Sequence, residues 1–299
     1  MQLRNATLSG LEQMVEMEDK LKVIGICPVY DEIRTVRHDV KAFIDFYLKY
    51  KDKYSLKKVI VIDDGSSDGS GDEVLKLREY LMQNDLDPDL LDYARLPQNH
   101  GKAYAMIYGY SRIPMNIDGN AIIKFFDTDL VRYTPEHILR ELDALIKRDN
   151  VIMSLSFVLG NIPLIRRWRY RTACKAARSG NAITGQRSLR KATLDEILPK
   201  DPNEVTGYGL ETYISKKIRK MQEEYALNNP DKKLVIACQP LPGVIHLSHM
   251  KKEPNLIKVG VKYIKQGAQI LIGGAKAVMG TPRKYLRHRV YSNGRQKSN

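Results

Sequence analysis

The stretch Ala121-Ile122-Ile123-Lys124-Phe125-Phe126-Asp127-Thr128-Asp129-Leu130 decides how the chain is read. A largely apolar run ends abruptly in two carboxylates spaced one residue apart. In a strand, residues i and i+2 point to the same side, so Asp127 and Asp129 leave the strand end facing one way. Two such carboxylates repel each other unless something positive lies between them. A divalent cation with oxygen ligands, itself holding phosphate oxygens, would serve. A solvated acidic loop is the plainer alternative, because an isolated Asp-x-Asp is short and common.

The neighbouring stretches decide between these readings. Leu21 to Cys27 reads as a first buried strand running into Pro28-Val29-Tyr30-Asp31-Glu32. A helix follows from Thr35 to Tyr50, with Val36, Val40, Phe43, Ile44, Tyr47 and Leu48 as its apolar stripe. Val59 to Ile62 is continuously apolar, as a parallel strand covered on both faces should be. It ends in Asp63-Asp64-Gly65-Ser66-Ser67-Asp68-Gly69-Ser70, from which a helix runs to Met82. Asp92 to Leu96 is a third strand, Pro97 to Lys102 a loop, and Ala103 to Ser111 a helix. Strand alternating with helix implies a mostly parallel sheet flanked by helices. In such sheets ligands bind outside the carboxyl ends of the strands, and every polar cluster named here falls at such an end. After Leu130 come a helix at Pro135 to Arg148, a strand at Val151 to Leu159, and a very basic segment from Leu164 to Arg178. Leu234 to Cys238 reads as a strand and Gly243 to Leu247 as a short last one. A capping box at Ser9 to Glu12 opens a short N-terminal helix.

At 299 residues, 43% hydrophobic and 28% charged, the chain has the make-up of a soluble globular protein with a full-sized core. No apolar run reaches bilayer length. The acidic N-terminus does not resemble a signal peptide, and Cys27, Cys174 and Cys238 read as thiols of a reducing compartment. A cytoplasmic protein is expected. The net charge is +14, but residues 250–299 hold 12 Lys/Arg against one acid, Glu253. The basicity therefore belongs to the C-terminus and points to an anionic partner there.

The motifs Cys27–Glu32, Val59–Ser70, Asn99–Ala105, Phe125–Leu130, Thr184–Arg190 and Gly207–Thr212 resemble, in order, those of the family-2 glycosyltransferases. That resemblance covers residues 21 to 250. It implies an α/β chain with the GT-A fold, a nucleotide-sugar donor (UDP- or GDP-sugar) and Mg²⁺ or Mn²⁺. Within the family the chain looks most like the polyprenyl-phosphate glycosyltransferases of the dolichyl-phosphate-mannose-synthase kind. That likeness implies transfer of a hexose to a polyprenyl phosphate or membrane glycolipid. Gly207–Thr212 and a late histidine also resemble the glucosyl-3-phosphoglycerate synthases, whose acceptor is soluble and phosphorylated. One domain over 1–250 is expected, with a nucleotide-sugar half (21–130) and an acceptor half (131–250), followed by a basic helix and tail (251–299).

The resemblance also assigns roles. Pro28, Tyr30 and Glu32 would shape the nucleoside pocket, and Asp63 would accept hydrogen bonds from base or ribose. Lys102 would approach the base or diphosphate. Asp127 would contact ribose or metal, and Asp129 would ligate the metal. Val131 stands where polyprenyl-phosphate enzymes often carry Gln, so His249 becomes the candidate third ligand, with His246 its rival. For Ser66 and Asp68, turn-making and capping are the favoured roles. Gly185, Arg187 and Arg190 lie where the family places its acceptor loop, and an arginine fork suits phosphate. Glu211 reads either as a general base for an acceptor hydroxyl or as a helix-terminus charge. An ionised lipid phosphate would need no base.

Lys258, Lys262, Lys265 and Lys276 fall on one helical stripe, with Leu256, Val259, Tyr263, Ile270, Leu271 and Val278 away from it. With the basic tail (Arg283 to Lys297), this pattern suits an in-plane anchor on an anionic membrane. A helix packed on the domain is the equal alternative. A non-enzymatic nucleic-acid binder is the rival function, but no zinc spacing, helix-turn-helix or stacking motif supports it.

Overall fold

The computed structural model of the chain describes residues 20–158, 163–180, 184–246 and 256–279. The β-branched runs form strands β1 (Leu21–Val29), β2 (Tyr54–Asp63), β3 (Leu91–Arg95) and β4 (Ile122–Phe125). With β6 (Val151–Val158), β7 (Arg187–Arg190) and β8 (Val235–Leu241) they make a seven-stranded sheet in the order β3-β2-β1-β4-β7-β6-β8. β1 pairs in parallel with β2 and β4, and β2 with β3. β7 alone runs antiparallel to both of its neighbours, β4 and β6. Residues 187–190, read as part of a loop in the sequence, are thus a central strand. Four residues give too little periodicity to separate a strand from a loop.

Alternation along the strands builds a core on each face. Ile24, Ile26, Ile60 and Ile62 face helix α4 (Lys102–Ser111) through Ala103, Met106 and Ile107. Val23, Cys27, Val59 and Val61 face α1 (Val36–Tyr50) and α5 (Pro135–Ile146) through Val40, Phe43, Ile138 and Leu142. Phe43 and Phe126 stack with ring centroids 5.2 Å apart. Each fully buried side chain of this kind contributes about 1.5–3 kcal/mol.

The helix expected from Ser70 to Met82 is broken at Lys76 into α2 (Ser70–Leu75) and α3 (Leu77–Gln83). A two-stranded ladder that the sequence did not suggest joins β5 (Leu130–Val131) to β9 (Ile245–His246), with Leu130 opposite His246. Helices α6 (Pro163–Arg178), α7 (Lys191–Ile197) and α8 (Gly209–Asn228) follow β6 and β7, and α9 (Leu256–Met279) closes the described chain. The α9 helix packs on α8: Gly273 lies against the Gly209 backbone and Gln269 against Gly207. Lys276 donates to the Glu204 carbonyl. Its other side is open, with Ile264 and Leu271 each 76% exposed. The Ser9–Glu12 capping box, His249 and the tail from Arg283 lie outside the described residues.

Candidate active site

All the strand-end clusters meet at the carboxyl edge of β1, β2 and β4. The first two loops are laced together by short polar side chains. Ser66 Oγ accepts from Asp31 N (3.0 Å), Ser70 Oγ from Glu32 N (2.8 Å), and Asp68 Oδ2 from Ile33 N (3.0 Å). Asp31 Oδ1 accepts in return from Ser67 N. Ser66 and Asp68 therefore do more than shape their own turn; they hold the loop carrying Pro28, Tyr30 and Glu32. Gly65 adopts φ +79° with the Gln98 backbone pressed against it, a place no side chain fits.

Asp63 and Asp64 divide their work. Asp63 is buried, with Oδ1 accepting from Ser66 N (2.7 Å) and Oδ2 from the Tyr93 hydroxyl (2.8 Å). Asp64 accepts from His100 N and Gly101 N, both at 2.7 Å, which ties β2 to the loop leading into α4. Tyr30 is 45% exposed at the rim. Burial, with Asp31 and Asp64 nearby, raises its hydroxyl's pKa.

The Asp127–Asp129 turn is clamped from behind by α1. Thr35 Oγ1 donates to the Thr128 carbonyl (2.6 Å), Thr128 Oγ1 to the Pro28 carbonyl (3.2 Å), and Leu130 N to Asp39 Oδ2 (2.9 Å). Asp39 is fully buried, and burial pushes its carboxyl up to about 6 against the opposing hydrogen bonds from His38 and Leu130. Thr35 and Asp39 were legible only as helix positions. Nothing in their spacing announces that they support the turn.

In front of the turn stands an ion-paired triad. Lys102 Nζ lies 2.7 Å from Asp127 Oδ1 and 2.7 Å from Glu211 Oε1, which joins the expected donor half to the expected acceptor half. Burial alone would lower the Lys102 pKa, but Asp127 and Glu211 together hold it above the ordinary lysine value. Glu211 is 1% exposed, and its Oε2 is buried with no hydrogen-bond partner among the described residues.

Gly185 passes so close to Asp127 that any β-carbon would collide with the carboxylate. Arg187, expected to face an acceptor, is fully buried; Nε and Nη2 donate to the Thr184 carbonyl and Nη1 to the Glu211 carbonyl. Burial lowers its pKa to about 10 despite Glu211 and Asp127. It braces the turn of α8 that carries Glu211. Arg190 pairs with Ile122 at the amino end of β4, five residues or about 16 Å of extended chain from Asp127.

A second buried lysine underlies the site. Lys124 Nζ lies 2.9 Å from Glu141 Oε2 and 3.0 Å from Gln186 Oε1, and the Tyr133 hydroxyl donates to the same Glu141 oxygen (2.8 Å). Burial lowers its pKa, with Glu141 opposing. The one charge inside the β4 run was the signal for this cluster.

A family model described as "Glycosyl transferase family 2" matches residues 26–210, more than half of the chain. The chain belongs to glycosyl transferase family 2. Membership makes it a glycosyltransferase, as the motifs implied. The fold is that of glucosyl-3-phosphoglycerate synthase from Mycobacterium tuberculosis, solved in complex with Mn²⁺, UDP-glucose and phosphoglyceric acid. That structure shares 17% identity, covers 87% of this chain and 82% of its own, and has a TM-score of 0.55. The same enzyme with Mn²⁺, UDP and glucosyl-3-phosphoglycerate aligns over the same shares at 17% identity and a TM-score of 0.56. No curated protein sequence matches. The GT-A expectation is borne out.

The donor chemistry at the turn fits Mg²⁺ or Mn²⁺. Asp127 and Asp129 would offer hard oxygen ligands from partly exposed positions at the strand end. Among the described residues no group of three His, Cys, Asp or Glu closes around a metal. Substrate phosphate, water or residues outside the described ones would complete the shell.

Proposed function

We propose that this family-2 enzyme transfers a hexose from UDP- or GDP-sugar to a hydroxyl of a membrane lipid, with Mg²⁺ or Mn²⁺ bound at Asp129 and Asp127. The observation that carries the acceptor reading is Glu211. One oxygen is fixed by Lys102, and the other is buried with no donor among the described residues. A buried carboxylate oxygen without a donor is costly, and an incoming hydroxyl would satisfy it and give up its proton to it. An ionised phosphate acceptor offers no such proton.

On this reading Pro28, Tyr30, Glu32 and Asp63 shape the nucleoside pocket, and Gly185, with no β-carbon, lets its segment close against the Asp127 carboxylate. Lys102 holds Asp127 and Glu211 in position and places a positive charge beside the diphosphate. The bound metal would screen the charge of the nucleoside diphosphate as it leaves. His249, outside the described residues, is the proposed third protein ligand; it follows three residues after His246, which pairs with Leu130. The lipid half of the proposal draws on α9, whose exposed Ile264, Leu271 and Ile272 adjoin the basic C-terminus. No helix among the described residues is long and apolar enough to cross a membrane, so binding would be peripheral.

A second reading, transfer to a soluble phosphorylated hydroxy acid, is supported by the phosphoglyceric acid bound in the structural neighbour. The discriminating experiment supplies UDP-glucose and GDP-mannose with Mn²⁺ to the full chain, once with anionic lipid vesicles carrying glycolipid and once with phosphoglycerate. Product in the lipid fraction that disappears in Glu211→Gln is the expected result. Product only with phosphoglycerate would replace the first reading by the second. Undiminished turnover by Glu211→Gln would overturn the base role.

A further inference from the structure

β8 is an edge of the sheet. It pairs with β6 on one side and with no strand on the other among the described residues. Backbone groups of alternate residues point to the same side of a strand. Val235 N donates inward to the Asn150 carbonyl (2.8 Å), so Leu234, Ile236, Cys238 and Pro240 direct theirs outward. The outward carbonyls of Leu234 and Cys238 accept from the side chains of Gln222 and Tyr170 in place of a strand. Pro240, which has no N–H to offer, falls on the open side, the place in a sheet where proline is tolerated.

This edge lies at the bottom of a cleft of about 900 Å³, walled by α5 and α6 from opposite faces of the sheet. Each wall carries a row of exposed cations. Arg140 stands on α5 with Lys147 and Arg148 just past its C-terminus, and Arg171, Lys175 and Arg178 stand on α6 at the i, i+4, i+7 spacing of one helix face. The cleft's two acids are engaged: Glu136 pairs with Lys49, and Asp143 with Lys147. Among the described residues the other five cations form no ion pair.

We propose that this cleft binds an acidic peptide segment in extended conformation, added to β8 as an eighth strand. Successive side chains of an added strand point to opposite faces, alternately toward the α5 row and the α6 row, so carboxylates at neighbouring positions meet both. The backbone of the added strand pairs with the outward groups of Ile236 and its neighbours, a recognised mode of peptide capture. Two copies of this chain joined edge to edge would instead bring the cationic rows together, and like charge opposes that pairing. The site is separate from the Lys102–Asp127–Glu211 triad and does not depend on the acceptor reading.

Fluorescence anisotropy with the full chain and a labelled peptide of sequence Glu-Glu-Val-Glu-Glu-Val-Glu-Glu tests the proposal. The expected result is saturable binding that weakens with salt. It should weaken about tenfold or more, the equivalent of about 1.4 kcal/mol, in Arg171→Glu/Lys175→Glu and when alternate peptide amides are N-methylated. Arg140→Glu/Arg148→Glu serves as the second variant should the first melt early. Hydrogen exchange at the Ile236 amide should slow in the complex. No binding of the acidic peptide would overturn the proposal. So would equal affinity for the methylated peptide, or full displacement by tripolyphosphate with no change at Ile236, since either marks an unspecific anion surface.

Discussion

Lys102 and Lys124 are both buried lysines held by carboxylates near the end of β4, yet their environments push them in opposite directions. Lys102 has two carboxylates, Asp127 and Glu211, and remains 17% exposed at the cleft; its proton is held more tightly than usual. Lys124 has one carboxylate, shared with Tyr133, and is wholly enclosed; burial loosens its proton. The first arrangement keeps a fixed positive charge at a partly exposed position of the cleft, and Glu211 and Glu141 each keep one buried oxygen without a donor among the described residues. The second, with Gln186 as its other partner, ties β4 to α5 and to the segment before β7. On the proposed function, the first cluster serves ligands and the second the scaffold beneath them.

The largest effect that separates the two is expected at their carboxylates. Glu211→Gln should lower transfer to a hydroxyl acceptor by about 10²–10⁴-fold with little change in melting temperature, measured by initial rates and calorimetry. The corresponding Glu141→Gln should act on stability instead. It leaves the Lys124 ammonium enclosed without its counter-charge, at a cost of about 3–5 kcal/mol in denaturant titration. Removing both members sharpens the contrast. Lys124→Met/Glu141→Leu should recover most of that stability and keep activity, whereas Lys102→Met/Glu211→Leu should fold and be inactive. Loss of transfer by the first double variant in a well-folded state would break the distinction.

Asp39 extends the comparison from cations to anions, and its effect is smaller. Its carboxyl is pushed up to about 6, so the folded protein holds that proton more tightly than the unfolded chain. Between about pH 4 and 6 the native state then binds more protons, and stability from this group falls as pH rises. His38, raised by its hydrogen bond to Asp39, loses its contribution in the same direction at higher pH. The stability advantage of the metal-free wild type over Asp39→Asn should shrink by about 1–3 kcal/mol from pH 4 to pH 7. A flat difference across urea titrations at those two pH values would remove the buried, partly protonated carboxyl from the account.

Much of the architecture was legible because it is written locally. Continuous apolar runs gave the parallel strands, and each ended in its own polar cluster, so the meeting of Tyr30, Asp63, Lys102 and Asp127 at one edge followed from topology alone. What escaped was non-local. Lys102 finds Glu211 only after β7 reverses direction and α8 returns to the sheet, and Lys124 finds Glu141 only once α5 packs on the sheet. Arg187 looked like an acceptor fork from its motif position, but the reversal turns it inward to carbonyls of Thr184 and Glu211. Arg190 is carried to the far end of β4 by the same strand. The stripe of lysines on α9 was legible, but not that Lys276 would turn back onto the Glu204 carbonyl.

On the proposed function the Asp127–Asp129 turn binds a nucleoside diphosphate through a divalent metal. Isothermal titration of UDP and of GDP into the metal-free full chain, with and without Mn²⁺, tests it most directly. At least one nucleotide should bind only with Mn²⁺ and weaken about tenfold or more in Asp129→Asn, a loss of about 1.4 kcal/mol. Equal affinity with and without Mn²⁺, unchanged in Asp129→Asn, would contradict it.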